Sequence, residues 1–227
     1  MSPVKESTAR ERILRNAEHL FARQGYDATS VDLIASRARA NKALIYYYFK
    51  SKDGLRDALF AHVQQDFIGF MDRFLSQIPA EKLHRLSALE TEQALRAYSR
   101  KRLERFIQEM IAFLEEHRDA LKLVMTESLK TASDCPAIFR FFETIFRDQL
   151  AKAKARGVPY AAGARELIYE FFTGFMPLVT FIILHDQWAR HFKVAEAEVK
   201  RDFMDSFIKT HVLQTERRKY RIGGKAS

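Results

Sequence analysis

Cysteine, glycine and proline are scarce in this 227-residue chain, and one stretch of it lacks acid altogether. Cys135 is the one cysteine, so no internal disulfide forms and no cysteine-type zinc site can be assembled. Eight glycines and five prolines leave long stretches without the turn punctuation that strand-rich domains need, and an all-α fold is predicted. There is no glycine-rich phosphate loop, no nucleophile elbow and no HExxH sequence, which removes the usual anchors of an enzyme. The seven histidines show no ligand spacing, so neither a metal nor a cofactor is expected. The longest apolar run, Phe171 to Leu184, has fourteen residues, short of the roughly twenty that cross a bilayer. A buried helix is predicted there instead. The N-terminal residues lack the apolar core of a signal peptide, and a cytoplasmic location is expected.

Positive charge is what the chain has in excess, a net +9. It sits at the ends: residues 1–60 contribute +4 and residues 216–227 another +4. Such a balance speaks of partners, nucleic acid or an anionic membrane surface, rather than of fold. The densest stretch is Arg37 to Lys52, with five basic residues, three consecutive tyrosines and no acid.

Helix signals bracket that stretch. Thr8 and Glu11 form a capping-box pattern ahead of an apolar stripe of Ile13, Leu14, Ala17, Leu20 and Phe21. Gly25 is expected to end this helix in the left-handed conformation. Thr29–Ser30 cap a second helix of about eight residues, with Asp32 near the positive end of its dipole. Asn41 caps a third after two or three residues. Two short helices across a tight turn make a helix-turn-helix, and neither is stable alone at that length. Ser51 then caps a longer connector helix from Lys52 to about Gln77, its stripe running through Leu55, Leu59, Val63, Phe67, Phe70 and Phe74.

In such a motif the second helix of the pair enters the major groove and presents its N-terminal residues to base edges. Here those are Asn41, Lys42, Ala43 and Leu44. Small Ala43 admits close approach, and Leu44 suits a thymine methyl. Ile45 and Phe49 face the core. Tyr46, Tyr47 and Tyr48 fan around the helix, so their hydroxyls can reach phosphates, and Lys52 begins a helix whose amides also attract phosphate.

The stretch FARQGYDATSVDLIASRARANKALIYYYFKSKDGL resembles the N-terminal domain of TetR/AcrR-family transcriptional regulators. Phe21, Gly25, Tyr26, Thr29, Ser30, Val31, Ile34, Ala35, Ala38, Ile45, Tyr46, Tyr48, Phe49, Ser51, Lys52 and Leu55 carry the match, which covers about residues 8–60. The resemblance implies a dimer bound to double-stranded DNA at an inverted repeat. Ser30 and Lys52 would contact phosphate, Tyr46 and Tyr48 the backbone, and Lys42 and Leu44 the bases. Three positions depart from the pattern: Leu44 replaces a usual Thr, Ala43 a frequent Gly, and Arg39 the Gly of the turn. Arg39 either takes a positive φ at a cost of order 1 kcal/mol, or the turn has changed shape and brings Arg39 to phosphate. The second is expected.

The domains expected are 8–55, the helix-turn-helix; 56–214, helical; and 215–227, a basic disordered tail. The resemblance implies that the second binds a small apolar or amphipathic effector and forms the homodimer. Candidate pocket residues are Phe106, Met110, Phe113, Met125, Phe142, Phe172 and Met176, with Pro177 and Gly174 expected to kink the helix beside them. Candidate dimer residues are Phe181, Trp188, Val199, Phe203 and Phe207. The function expected is a ligand-responsive repressor. The alternatives are a basic peripheral membrane protein, or a carrier or enzyme with a vestigial helix-turn-helix. The first predicts a long basic amphipathic helix, the second clustered catalytic groups, and neither pattern is found in the sequence.

Overall fold

The computed structural model of the chain describes residues 8–76, 92–130, 135–155 and 163–212, and every regular element among them is helical. In order these are α1 (Ala9–Gln24), α2 (Val31–Ala38), α3 (Lys42–Phe49), α4 (Lys52–Ser76), α5 (Glu92–Glu116), α6 (Arg118–Lys130), α7 (Ala137–Ala155), α8 (Ala164–Tyr169), α9 (Met176–Phe192) and α10 (Glu196–Phe207). A π-helical turn, Glu170–Phe175, joins α8 to α9, and another, Ile208–Val212, follows α10. The tail expected at 215–227 lies outside the described residues.

The chain folds as two compact units, residues 1–67 with 117–141, and residues 68–116 with 142–227. The units divide it differently from the boundary expected at residue 55, because α6 brings Ala120, Leu121 and Val124 into the core of the helix-turn-helix unit. Sequence adjacency carries no sign of that pairing.

In the first unit each short helix is held by its cap and its core. Thr8 Oγ1 accepts from Glu11 N while Thr8 N donates to Glu11 Oε2, at 3.2 and 3.0 Å, the reciprocal bonds of a capping box. Ile13, Leu14, Ala17 and Phe21 of α1, Ile34 of α2, Ile45 and Phe49 of α3, and Leu55 and Leu59 of α4 are all buried. Each full burial of a large apolar side chain stabilises by about 1.5–3 kcal/mol, which helices of eight residues cannot gain alone. Gly25 has φ 88° and ψ 156°. Its φ is positive as expected, but the conformation is the extended one open only to glycine, not the left-handed helical one.

In the second unit aromatic pairs dominate. Phe70 stacks on Phe113 at 5.0 Å and Phe74 lies on Phe106 at 3.9 Å. Phe142 meets Phe171 at 5.1 Å and Phe175 at 5.3 Å. Where a kink was expected there is a π-helical turn: Met176 N donates to Phe171 O, five residues back, just before Pro177, which has no N–H to continue the regular ladder. Gly174 sits within this turn, and a Cβ there would lie 2.6 Å from the His211 ring, so the imidazole occupies the space a side chain would need.

The helical run Ala164–Phe192 is 29 residues, long and apolar enough to cross a membrane, and only 28% of its most apolar window is buried. This corrects the expectation of a buried helix. Leu178, Val179 and Ile182 are buried, whereas Leu184, Trp188 and Phe192, four apart, are exposed. The buried His185 lies 3.1 Å from Glu115 Oε1 and 3.6 Å from Glu196 Oε1, charged partners that lipid would not offer.

Candidate nucleic-acid interface

The ten residues singled out as contacts lie in α2, α3, their caps and the first turn of α4. Ser30 Oγ caps α2 by accepting from Leu33 N at 3.1 Å, and Asn41 Oδ1 caps α3 by accepting from Ala43 N at 2.9 Å. A capping hydroxyl keeps its own O–H, and a capping amide its NH2, for a further acceptor. Both residues are exposed. The caps therefore fix where α3 begins and leave donors facing outward.

On α3, Ile45 and Phe49 are buried while Tyr46, Tyr47 and Tyr48 are 44%, 70% and 39% exposed. Lys42 and Ala43 are exposed and Leu44 half-buried. Three large aromatic rings are left in solvent, with Lys50 Nζ 5.9 Å from the Tyr47 ring, and Arg37 and Arg39 are exposed as well; such exposed apolar area and charge suit a partner.

Arg39 takes φ 49° and ψ 49°, the left-handed helical conformation, and Ala40 N donates to Ala35 O across it at 2.9 Å. The turn has kept its shape and the arginine carries the strain, which overturns the expectation of a reshaped turn. The α2 ladder must end with a positive φ for Ala40 to close it, whatever residue stands there.

A second strained residue had no sequence signal. Lys50 has φ 68° and ψ −37°, closing a γ-turn in which Ser51 N donates to Phe49 O at 2.8 Å. That tight turn drives α3 into α4, and Ser51 Oγ then accepts from Gly54 N at 2.9 Å. Gly54 is obligatory, since a Cβ there would fall 2.0 Å from Phe49 O. A glycine inside the first turn of a helix costs about 1 kcal/mol against alanine, and that was the clue available in the sequence.

Behind the contact surface lies a charged mount. Tyr26 OH donates to Asp53 Oδ1 at 2.6 Å, and burial followed by this bond raises the phenol above its ordinary range. Lys52 Nζ sits 4.2 Å over the Tyr26 ring and donates to Asp27 O at 3.4 Å. Lys130 of α6 reaches Asp27 at 2.8 Å, and Arg56 reaches Glu127 at 3.7 Å, so α6 is tied to the loop beside the contact surface. Further back, Glu18 of α1 is pushed up to about 7 by burial, then by the negative charges of Asp119 and Asp66, against a backbone bond from Ala120.

The candidate pocket residues fall in both units. Met125 belongs to α6 of the first unit. Phe172 is 61% exposed and so forms no interior wall, because the π-helical turn rotates it outward while Phe171 stays buried. Met110 is buried, Phe106, Phe113, Phe142 and Met176 half-buried. Of the dimer candidates, Phe181 and Phe203 are half-buried and stack on each other at 3.8 Å, and Phe207 is buried. Val199 is half-buried and Trp188 is 48% exposed, beside Phe192 at 4.6 Å, a residue the sequence reading passed over.

Sequence spacing shows no metal pattern, yet the fold gathers Glu115, His185 and Glu196 with ligand atoms within 4.8 Å of one another. Lys200 Nζ lies 2.7 Å from Glu115 and 2.8 Å from Glu196. An ammonium thus already stands between the two carboxylates and offsets half of their combined charge.

The family described as "Bacterial regulatory proteins, tetR family" matches residues 13–59. The HTH-type transcriptional repressor NicS of Pseudomonas putida is 28% identical over 124 residues, 53% of this chain and 48% of that protein. The probable HTH-type transcriptional regulator YttP of Bacillus subtilis is 35% identical over 78 residues, 34% of this chain and 37% of that one. The chain thus spans half or less of the length of these two relatives. A solved tetR-family transcriptional regulator from Streptomyces coelicolor superposes with a TM-score of 0.55 at 19% identity, covering 93% of this chain and 87% of that one. That last likeness is one of fold.

Proposed function

The chain belongs, through its N-terminal domain, to the TetR family, and on that premise we propose that it is a DNA-binding transcriptional repressor released by a small apolar or amphipathic effector. One observation carries the reading: α3 is a capped helix on a buried core whose outer face carries Lys42 and three exposed tyrosines and has no acid of its own. Such a face has no use in a solvated monomer and suits the major groove of DNA. Lys42 and Leu44 would read bases. Ser30, Arg39, Asn41, Tyr46, Tyr47, Tyr48 and Lys52 would position the backbone, and Ala43 would allow close approach.

The protein would act as a homodimer in the cytoplasm. The exposed stripe Leu184, Trp188 and Phe192 supports pairing through α9, and a two-fold axis would make the operator an inverted repeat. The aromatic clusters of the second unit, among them Phe106, Phe113 and Phe142, would supply the effector site. An effector that binds better to the conformation unsuited to DNA shifts the equilibrium, and 1–3 kcal/mol of such coupling lowers DNA affinity about 5- to 150-fold.

Selection of bound sequences from a random duplex library at near-physiological salt tests this. An enriched inverted repeat is the expected result, and enrichment of nothing by effector-stripped protein would sink the reading. Lys42→Ala should then lose specificity while keeping salt-dependent affinity. Lys52→Ala should weaken all sequences about equally and lower the salt slope.

A further inference from the structure

Asp32 is the one acidic residue between Ser30 and Lys52, and it stands on the surface assigned above to DNA. A carboxylate there repels phosphate, so its presence at the front of α2 calls for a reason. Its Oδ2 lies 2.9 Å from Lys42 Nζ, an ion pair joining the first turn of α2 to the first turn of α3. The side chains stay 48% exposed for Lys42 and 69% for Asp32, so the pair is in solvent, where such bonds contribute little to stability. It does restrain where the Lys42 ammonium points.

Accepting the DNA-binding reading of this surface, we propose that Asp32 is a specificity-determining residue that holds Lys42 away from phosphate and releases it only to a base pair able to satisfy both partners. The exchange balances. Lys42 gives up a carboxylate and gains the O6 and N7 acceptors of guanine, while Asp32 gives up the ammonium and gains the N4 amino donor of cytosine. Phosphate offers an acceptor to Lys42 but nothing to Asp32, which is left uncompensated against a polyanion. Non-specific DNA is therefore disfavoured and a G·C pair favoured by the same two residues.

A rival role is plain support of α2, since an acid in the first turn favours the helix dipole. A double-mutant cycle separates the two. Binding to the selected operator and to random duplex is measured across a salt series for the wild type, Asp32→Ala, Lys42→Ala and the double variant, with the Tm of each. For Asp32→Ala the expected result is tighter binding to random duplex and a salt slope steeper by about one phosphate contact. The operator-to-random ratio should fall about 10-fold, with the lost preference at a G·C pair. In the Lys42→Ala background the same change should leave the slope unaltered and lower the ratio less, since only the cytosine bond of Asp32 remains to be lost.

If Asp32→Ala tightens all DNA equally in both backgrounds, the carboxylate merely repels phosphate and the latch is overturned. It is equally overturned if Asp32→Ala lowers Tm and weakens all DNA, which is the signature of helix support; Asp32→Asn, which keeps the side chain's size and an oxygen acceptor, then confirms whether charge or fold was lost. A wild type that selects no sequence would instead remove the DNA-binding premise, a failure visible before any variant is made.

Discussion

The two units of the molecule differ in what specifies them. In the first, polar residues and glycines have single geometric jobs: Thr8, Ser30, Asn41 and Ser51 each cap a helix, and Gly54 lies where any Cβ would strike backbone. In the second, most of the specification is apolar periodicity and ring stacking, and one exposed apolar stripe remains on α9. A unit built from unique local solutions announces itself in sequence. One built from interchangeable apolar contacts announces a core and little more.

The same substitution should show this contrast most strongly. Gly54→Ala drives a Cβ to 2.0 Å from the Phe49 carbonyl oxygen, and neither helix can shift without breaking the γ-turn. A loss of about 3 kcal/mol is expected by urea unfolding, at the upper end for overpacking, together with loss of DNA binding. Gly174→Ala meets the His211 ring at 2.6 Å, a side chain that can turn aside. Its cost should be smaller, about 1–2 kcal/mol, and Gly174→Ala combined with His211→Ala should recover part of it. Equal costs at the two glycines would break the comparison.

The exposed stripe gives an effect comparable to that at Gly54. Trp188→Asp should dissociate the proposed homodimer, at about 2–4 kcal/mol for a central aromatic anchor, read as a shift to monomer in sedimentation. The change should leave the unfolding of the first unit untouched. A variant that stays dimeric would place the interface elsewhere.

Glu18 provides a pH-dependent test of the first unit. Its folded value of about 7 lies above the ordinary 4.5 because burial and the Asp119 and Asp66 charges disfavour ionisation. The folded state therefore binds more protons than the unfolded one between those values. Stability contributed by protonated Glu18 is full below about 4.5 and lost as pH rises through about 7. Urea melts at pH 5 and pH 8 should show Glu18→Gln flattening this fall, and a Gln variant with an unchanged slope would contradict it.

The smallest effect is expected at Arg39. Glycine there relieves a left-handed φ of 49° and should stabilise by about 1 kcal/mol, measured as a rise in Tm. Destabilisation would show that the arginine side chain contributes more than its backbone costs.

These contrasts follow the limits of what the chain spelled out. The caps at Thr8, Ser30 and Asn41, the buried Ile45 and Phe49, and the eight-residue length of α2 were legible, because each depends on neighbours within four residues. The Lys42–Asp32 pair was not, since ten residues separate its members and only the turn of the motif brings them together. Lys50 was missed because lysine carries no mark of a positive φ. Phe172 and Phe181 were expected at a pocket and at a dimer surface from the resemblance and the proline beside them, whereas the first is 61% exposed and the second stacks on Phe203.

Sequence by itself determined an all-helical chain, the position of the helix-turn-helix and the identity of its outward residues, because helix caps, glycines and apolar stripes act over one or two turns. Tertiary structure alone decided that α6 shares a core with α1, that Arg39 bears the strain of an unchanged turn, and that His185 meets Glu115 and Glu196. Those outcomes depend on residues distant in the chain competing for the same space and charge, and no local pattern records who wins.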